Sequence, residues 1–259
     1  MAGDDAATLR ALVARRRDLL AAAGTDVVDK RDLTETLDVS RSTVDRGVRE
    51  LERAGLAERV DGGVRRTLPG TLALREHERT NRRLAAVADA STVLSALPND
   101  ADVDSAVLVG ASVVSPTPDS PYASLGYQRG VIERADAVRA STSAVIGPQV
   151  DLYYEQIVED GLELTVVVSG GVLNRILSGH RDQLREALGT GRVDIYRTDD
   201  PLPYGLAVTQ TETGGEMFVT VYDDDGIVGT VGNDSAEAVA WARRTADDQL
   251  ADAEPVSRP

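Results

Sequence analysis

The sequence predicts an α/β chain of two domains. A mainly helical N-terminal head closes with a two-stranded hairpin, and a long helix joins it to a C-terminal layer of alternating strands and helices. Three observations predict this. Residues 28–68 read VDKRDLTETLDVSRSTVDRGVRELERAGLAERVDGGVRRTL; apolar residues recur first at helical spacing, then in two short runs about Asp61-Gly62-Gly63, a hairpin signal. From Asp102 onward, short apolar runs alternate with helical pattern, as in an α/β layer with mostly parallel pairing and a terminal hairpin. Charge divides the same way: residues 1–90 hold 17 Lys+Arg and 16 Asp+Glu, and the remainder holds 11 and 27. The expected boundaries are 1–70 for the head, 71–98 for the linker helix and 99–259 for the α/β domain.

In chain order, 8–23 reads as a first helix with Leu9, Leu12, Val13, Leu19 and Leu20 inward and the basic run Arg15-Arg16-Arg17 beside them. That run is either a solvated face or a phosphate contact. Residues 29–37 form a second helix with Leu33 and Leu37 inward. Ser40 stands where an N-cap belongs, and behind it Val44, Val48 and Leu51 make the buried face of a third helix that Gly55 ends. Gly47 on that face lets a neighbour approach closely. Arg41, Ser42, Thr43, Asp45, Arg46 and Arg49 lie on the other side, side chains of the kinds that contact phosphates and base edges. Pro69-Gly70 is punctuation, and 71–96 reads as the long helix.

Beyond it, 107–109 and 111–114 read as strands about Gly110, 115–122 as a Pro-rich loop and 122–134 as a helix. A strand at 137–140 ends in Ser141-Thr142-Ser143, and 147–159 is helical. Residues 162–168 give the strongest strand, whose Val166-Val167-Val168 suggests burial on both faces. Ser169-Gly170-Gly171 opens another helix, 181–188 a second, and 193–196 is a strand. Residues 216–221 and 227–231 pair about Asp223-Asp224-Asp225-Gly226, 236–252 closes the domain with Val239 and Trp241 inward, and 254–259 is a frayed tail.

The chain has no cysteine and two histidines, His77 and His180, which excludes disulfides and thiolate metal sites and argues against any metal or resident cofactor. No apolar run approaches the about 18 residues of a membrane helix, and the N-terminus lacks an apolar signal core, so the cytoplasm is the expected location. Only Lys30 among 28 basic residues is lysine, and Asp is abundant. This usage resembles proteins of salt-loving archaea, where acidity serves solubility and phosphate contacts are weakened by salt.

The stretch DVSRSTVDRGVRELERAGLAERV resembles the second half of a winged helix-turn-helix of the ArsR/TrmB type in archaeal and bacterial regulators. Four features of the second half, the Pro121-Tyr122 loop, LELTVVVSGGVL, VDIYRTDDPLPYGLAV and DSAEAVAWA, resemble the effector domain of archaeal methanogenesis-regulator-like factors, itself similar to the phospholipase-D-like part of TrmB regulators. The resemblance implies a DNA-binding sensor. The phospholipase pattern, a histidine with a lysine two residues on and an aspartate beyond, is missing, so no catalytic residue is carried over.

The expected function is a dimeric regulator of double-stranded DNA. Arg41, Ser42, Thr43, Arg46 and Arg49 would enter the major groove, Arg65 and Arg66 of the wing would touch its flank, and two half-sites would lie about 34–36 Å apart. In an open α/β sheet, ligands bind outside the carboxyl ends of strands, which here carry Ser141, Thr142 and Ser143, then Ser169, Gly170 and Gly171 at a helix start. Tyr122, Tyr153 and Tyr204 would supply an aromatic wall for a small polar or anionic metabolite. Two other readings remain open: an enzyme on a phosphodiester or nucleotide with a winged-helix tether, and a protein-binding adaptor.

Overall fold

The computed structural model describes residues 2–256, in two compact units that divide between Arg82 and Arg83. In the first unit, α1 (Ala2–Arg15) and α2 (Arg17–Ala22) replace the single helix expected at 8–23. The chain leaves helical geometry at Arg16, φ −113° and ψ 16°, and both Leu12-Val13 and Leu19-Leu20 reach the core. α3 (Lys30–Leu37) starts at Asp29, whose carboxylate accepts from Arg31 N–H at 2.6 Å, and ends where Asp38 turns left-handed at φ 51°. After that tight turn, Ser40 Oγ accepts from Thr43 N–H at 3.3 Å and starts α4 (Arg41–Arg53).

α4 buries Val44, Gly47, Val48 and Leu51. Beyond its cap at Ala54, Gly55 is left-handed at φ 71°, with Leu56 N–H donating to Leu51 C=O at 2.9 Å and Gly55 N–H to Glu52 C=O at 3.0 Å. This is the paired closure that satisfies the last carbonyls of a helix. β1 (Ala57–Val60) and β2 (Gly63–Arg66) follow as an antiparallel wing with Val60 opposite Gly63. Val28 bridges to Val64 from the other side; a Cβ on Gly63 would stand 2.1 Å from Val28 O, so only glycine fits.

α5 (Leu68–Asp89) begins three residues before the expected start and ends at Asp89, with α6 (Ser91–Leu94) as a separate turn. Pro69 sits in the first turn, where its missing N–H costs nothing, and Thr67 Oγ1 accepts from Gly70 N–H at 3.1 Å. The Pro-Gly pair therefore opens the helix instead of separating elements.

In the second unit, residues expected as a strand at 107–109 fall in a 3-10 turn (Ser105–Leu108) and its exit. Asn233 Nδ2 donates to the carbonyls of Val107 and Val109 at 2.7 and 3.0 Å, which uses the acceptors a sheet neighbour would need. β3 (Ser112–Val114), α7 (Ala123–Ile132), β4 (Ala137–Thr142), α8 (Gly147–Val158) and β5 (Glu163–Ser169) follow. Then come α9 (Gly170–Gly179), α10 (Arg181–Gly189), β6 (Val193–Thr198), β7 (Gly205–Gln210), β8 (Met217–Asp223), β9 (Gly226–Asn233), α11 (Ala236–Ala251) and β10 (Glu254–Pro255).

Among the described residues the sheet order is β10-β6-β5-β4-β7-β8-β9-β3. Parallel pairing is confined to β4, β5 and β6, and the other contacts are antiparallel. The expectation of a mostly parallel sheet is thus corrected. β7, β8 and β9 are joined by short turns, and such turns can connect only antiparallel neighbours. Glu254 and Pro255, expected in a frayed tail, pair with Arg197 and Tyr196; residues 257–259 of that tail lie outside the described residues.

Both faces of the sheet are covered. α11 and the 3-10 turn pack on one face against Leu206, Val208, Met217 and Val219, with Trp241 and Ala242. α7 to α10 pack on the other against Val138, Leu164, Val168, Ile195, Ala207 and Phe218. Strand alternation sends Leu206 and Ala207 to opposite layers, which is why β7 and β8 are buried almost throughout. No helix among the described residues is long and apolar enough to cross a membrane.

Candidate functional site

The polar face of α4 is built on its buried one. Ser42, Arg46 and Arg49 are exposed at spacing i, i+4, i+7, with Arg41 exposed on the first turn and Thr43 half-buried. The Ser40 hydroxyl that caps the helix lies 2.9 Å from both Ser42 Oγ and Thr43 Oγ1, so the two small hydroxyls are held at the helix start. Arg49 Nε donates to Asp45 C=O at 3.2 Å, laying its stem along the helix.

Asp45 sits among these cations but is neutralised. Lys30 Nζ on α3 donates to its carboxylate at 2.8 Å, and this bond holds the Asp45 carboxyl below its usual range. The sole lysine thus ties α3 to α4 instead of facing a partner. Behind α4, Arg16 grips both oxygens of Glu50 at 2.9 and 3.1 Å and Arg15 adds a bond at 3.3 Å. The hydrogen bonds from Arg16, then Arg15, lower the Glu50 carboxyl to about 2. Arg17 pairs with Asp18 and Glu78. The Arg15-Arg16-Arg17 run therefore braces the head.

The two wing arginines part ways. Arg65 is exposed and held by Glu58 at 2.6 Å. Arg66 turns inward, with Nε donating to Thr71 Oγ1 at 3.1 Å and a terminal nitrogen to Leu20 C=O at 3.2 Å. Its guanidinium joins the wing to α2 and α5, which leaves Arg65 as the outward one.

In the second unit, the residues anticipated around a ligand separate: Ser141, Thr142 and Tyr153 border one cavity, and the others lie apart from it. Tyr122 precedes α7 and is 72% exposed. Tyr204 is buried, donates to Asp102 C=O at 2.7 Å and tilts against Trp241 at 6.4 Å between ring centroids; burial pushes its phenol up to about 12. It anchors a core and also lines a separate surface pocket with Asp102, Thr198 and Leu202. Ser143 and Gly171 are exposed, while Ser169 caps α9 by accepting from Val172 N–H at 3.3 Å. Gly170 lies beside Arg197, itself paired with Asp199 at 3.1 Å. Ser141 is 2% exposed, and its Oγ has no hydrogen-bond partner among the described residues. It stands opposite Leu206, so its side chain shares the α11 face.

The same unit contains a cavity of about 150 Å³ between the sheet and α8, α9 and α10. Val166, Val168, Ile195 and Phe218 form its floor, and Val150, Tyr153, Ile176 and Leu184 its roof. At one end Tyr222 lies over Gly205, whose Cβ would stand 2.8 Å from the Tyr222 hydroxyl. Burial raises the Tyr222 phenol, opposed by hydrogen bonding with Thr142, Gln149 and Thr220. Gln149 Nε2 donates to Gln128 Oε1 at 2.6 Å, and Gln128 Nε2 donates to Thr220 and Thr230. Of the residues expected to face a ligand, Ser141, Thr142 and Tyr153 line this space, and burial raises the Tyr153 phenol too. Gln149 and Tyr222 gave no sequence signal, because nothing local brings a hairpin residue under α8.

His77 lies beside Asn81 in α5 and His180 beside Gln183 between α9 and α10, in different units. Among the described residues no group of three or more His, Cys, Asp or Glu could hold a metal ion.

A winged helix-turn-helix head with an open cationic helix face, followed by a mixed α/β unit, defines the class. Residues 121–252, just over half of the chain, match the model for the middle domain of the methanogenesis regulatory protein FilR1, and residues 4–96 match the HVO_A0261 N-terminal domain. The chain belongs to the FilR1 middle-domain family. Among solved structures it is similar to TrmBL2, described as an archaeal chromatin protein with a novel mode of DNA binding, at 18% identity and a TM-score of 0.43 over 95% of this chain and 92% of that one. It is also similar to Nuc, a phospholipase D family member from Salmonella typhimurium, at 10% identity and a TM-score of 0.43 over 57% of this chain and 99% of the other. NucT from Helicobacter pylori gives 10% and 0.43 over 56% and 98%. No curated protein matches in sequence.

Proposed function

We propose that this protein is a sequence-specific, DNA-binding transcription regulator whose α/β unit senses a small molecule. The observation that carries the reading is the outer face of α4. Arg41, Ser42, Arg46 and Arg49 stand exposed on one rigid helix, capped by Ser40, pinned from behind by Glu50 and tied to α3 through Asp45. A capped, braced helix with guanidinium groups outward suits the major groove, where arginine reads guanine edges. Arg65 of the wing adds a phosphate contact on exchanging its Glu58 partner. Membership of a regulator family supports the same reading.

The regulator acts as a homodimer. α5 leaves Leu68, Leu72, Leu84 and Val87 exposed, apolar side chains that a twin helix would cover. Ligand binding alters DNA affinity only to the extent that the ligand prefers one state of the dimer. The test is selection of fragments from a genomic pool by the purified protein at fixed salt. A recurrent two-half-site motif is the expected result; retention of no fragment, with partner proteins retained instead, would favour the adaptor reading.

A further inference from the structure

The cavity beneath α8, α9 and α10 has a chemistry of its own, unlike the anion site expected at the strand ends. We propose that it binds a small, uncharged, mainly apolar molecule of about single-ring size, bearing one hydroxyl or carbonyl group that meets the Thr142–Gln149–Tyr222 end. Helices close-packed on a sheet leave little room between them, so a partly open pocket of about 150 Å³ between the sheet and α8 to α10 is a feature to be explained. A dry cavity of about that size in another protein is known to hold benzene.

The lining fixes the class. It contains no Asp, Glu, Lys or Arg side chain, and its one histidine, His180, is already hydrogen-bonded to Gln183 at 2.8 Å, so a charged guest finds no fixed counter-charge. Water is a poor tenant, since the floor and roof of Val, Ile, Leu and Phe offer it few of the two to four partners it needs. Tyr154, His180 and Gln183 also line it, Gln183 being used by His180 at 2.8 Å and by Asp151 at 2.9 Å; the remaining polar groups gather at the Tyr222 end. There the Gln128 amide is used by Thr220, Thr230 and Gln149, and the Thr142 hydroxyl donates to Ala144 C=O at 3.0 Å and accepts from Ala144 N–H at 3.2 Å. The Tyr222 hydroxyl, hydrogen-bonded with Thr142, Gln149 and Thr220, meets the guest's polar atom by exchanging one of those bonds. A guest with one polar atom and an otherwise apolar body matches this division. Gly205 matters to it, because a side chain there would displace Tyr222.

This deepens the sensing half of the function proposed above and rests on it only for the consequence at DNA. The test uses the full chain with benzene, phenol and benzoate as probes, followed by calorimetry and by the shift in melting temperature. Phenol and benzene bind saturably at one site, phenol more tightly, and benzoate does not bind. Tyr222→Phe removes the advantage of phenol over benzene. Ala140→Phe fills the cavity and weakens phenol at least tenfold; Ala144→Phe, on the half-buried loop beside it, does the same should the first variant misfold. Absence of saturable binding by folded wild type, benzoate binding as well as phenol, or phenol binding unchanged in a folded filled variant would overturn the proposal. The probe isotherm needs no DNA, so failure of the protein to bind any DNA sinks the regulator reading and leaves this one standing.

Discussion

The outer face of α4 and the cavity under α8 to α10 are opposite solutions to presenting chemistry. In the head, the polar side chains stand on an outer helix face, and part-buried ion pairs hold that helix still. Arg16, Arg66 and Lys30 are cations turned to Glu50, Leu20 C=O and Asp45, so that Arg41, Arg46 and Arg49 can point elsewhere. In the α/β unit the arrangement is inverted: the surface is acidic, and the distinctive space is apolar and inside. The difference teaches that a count of charged residues says little about which part binds a polymer. The near-neutral head carries the cationic face, and a unit with 27 acidic residues after position 90 carries an apolar-lined cavity without an acidic or basic side chain other than His180.

The largest break in this comparison comes from the wing. Gly63→Ala puts a methyl 2.1 Å from Val28 O, against backbone that cannot move aside, and is expected to cost about 3 kcal/mol, the upper range for overpacking. Thermal unfolding should show it as loss of the head's transition, with that of the α/β unit retained. A variant as stable as wild type would mean that Val28 does not close the wing.

Next comes the positive face itself. Arg49→Ala should weaken operator binding by about 1–3 kcal/mol, whereas Arg66→Ala should lower thermal stability by about 1–2 kcal/mol for two lost hydrogen bonds. Equal effects on affinity at equal stability would erase the distinction between outward and inward arginines. On the other side, Tyr204→Phe removes a buried bond to Asp102 C=O and should cost about 1 kcal/mol without changing phenol binding, since Tyr204 belongs to the α11 core.

Acid gives a smaller and more selective effect. The Glu50 carboxyl is lowered by Arg16 and Arg15, so its contribution to the head is full above the ordinary carboxylate range near 4.5 and fades as pH falls toward about 2. Glu50→Gln should flatten the acid limb of head unfolding between those values. An acid limb identical to that of wild type would show that the Arg15–Arg16–Glu50 cluster does not brace α4. The smallest expected change is at Arg65: Ala there should reduce the salt slope of DNA binding by about one, uniformly over sequences.

The head was legible because its signals are local. Ser40 at the cap, Val44, Val48 and Leu51 at helical spacing, Gly55 past the end and Asp61-Gly62 between the wing strands each act within a few residues. What sequence did not give there was the pairing: Arg16 with Glu50 spans 34 positions and Lys30 with Asp45 spans 15, and either arginine of Arg65-Arg66 could have turned inward. In the α/β unit the elements were largely readable, while their pairing was not. An antiparallel β7 beside β4 depends on which edge was free, and no strand announces that. The part played by Tyr204 was not legible, because an aromatic in a Pro-rich loop can as well anchor a core as line a site. The cavity draws on Thr142 of β4, Gln149 and Tyr153 of α8 and Tyr222 of β8, and exists only once helices α8 to α10 lie on the sheet.

The most direct test of the central claim is the affinity of Arg46→Ala for a selected DNA fragment, measured by fluorescence anisotropy at matched salt beside wild type. Arg46 is exposed in the middle of the α4 face, so its loss should leave the melting temperature unchanged and weaken binding at least about tenfold, the cost of one base-edge contact. Unchanged affinity in a folded variant would contradict the assignment of α4 as the helix that reads DNA.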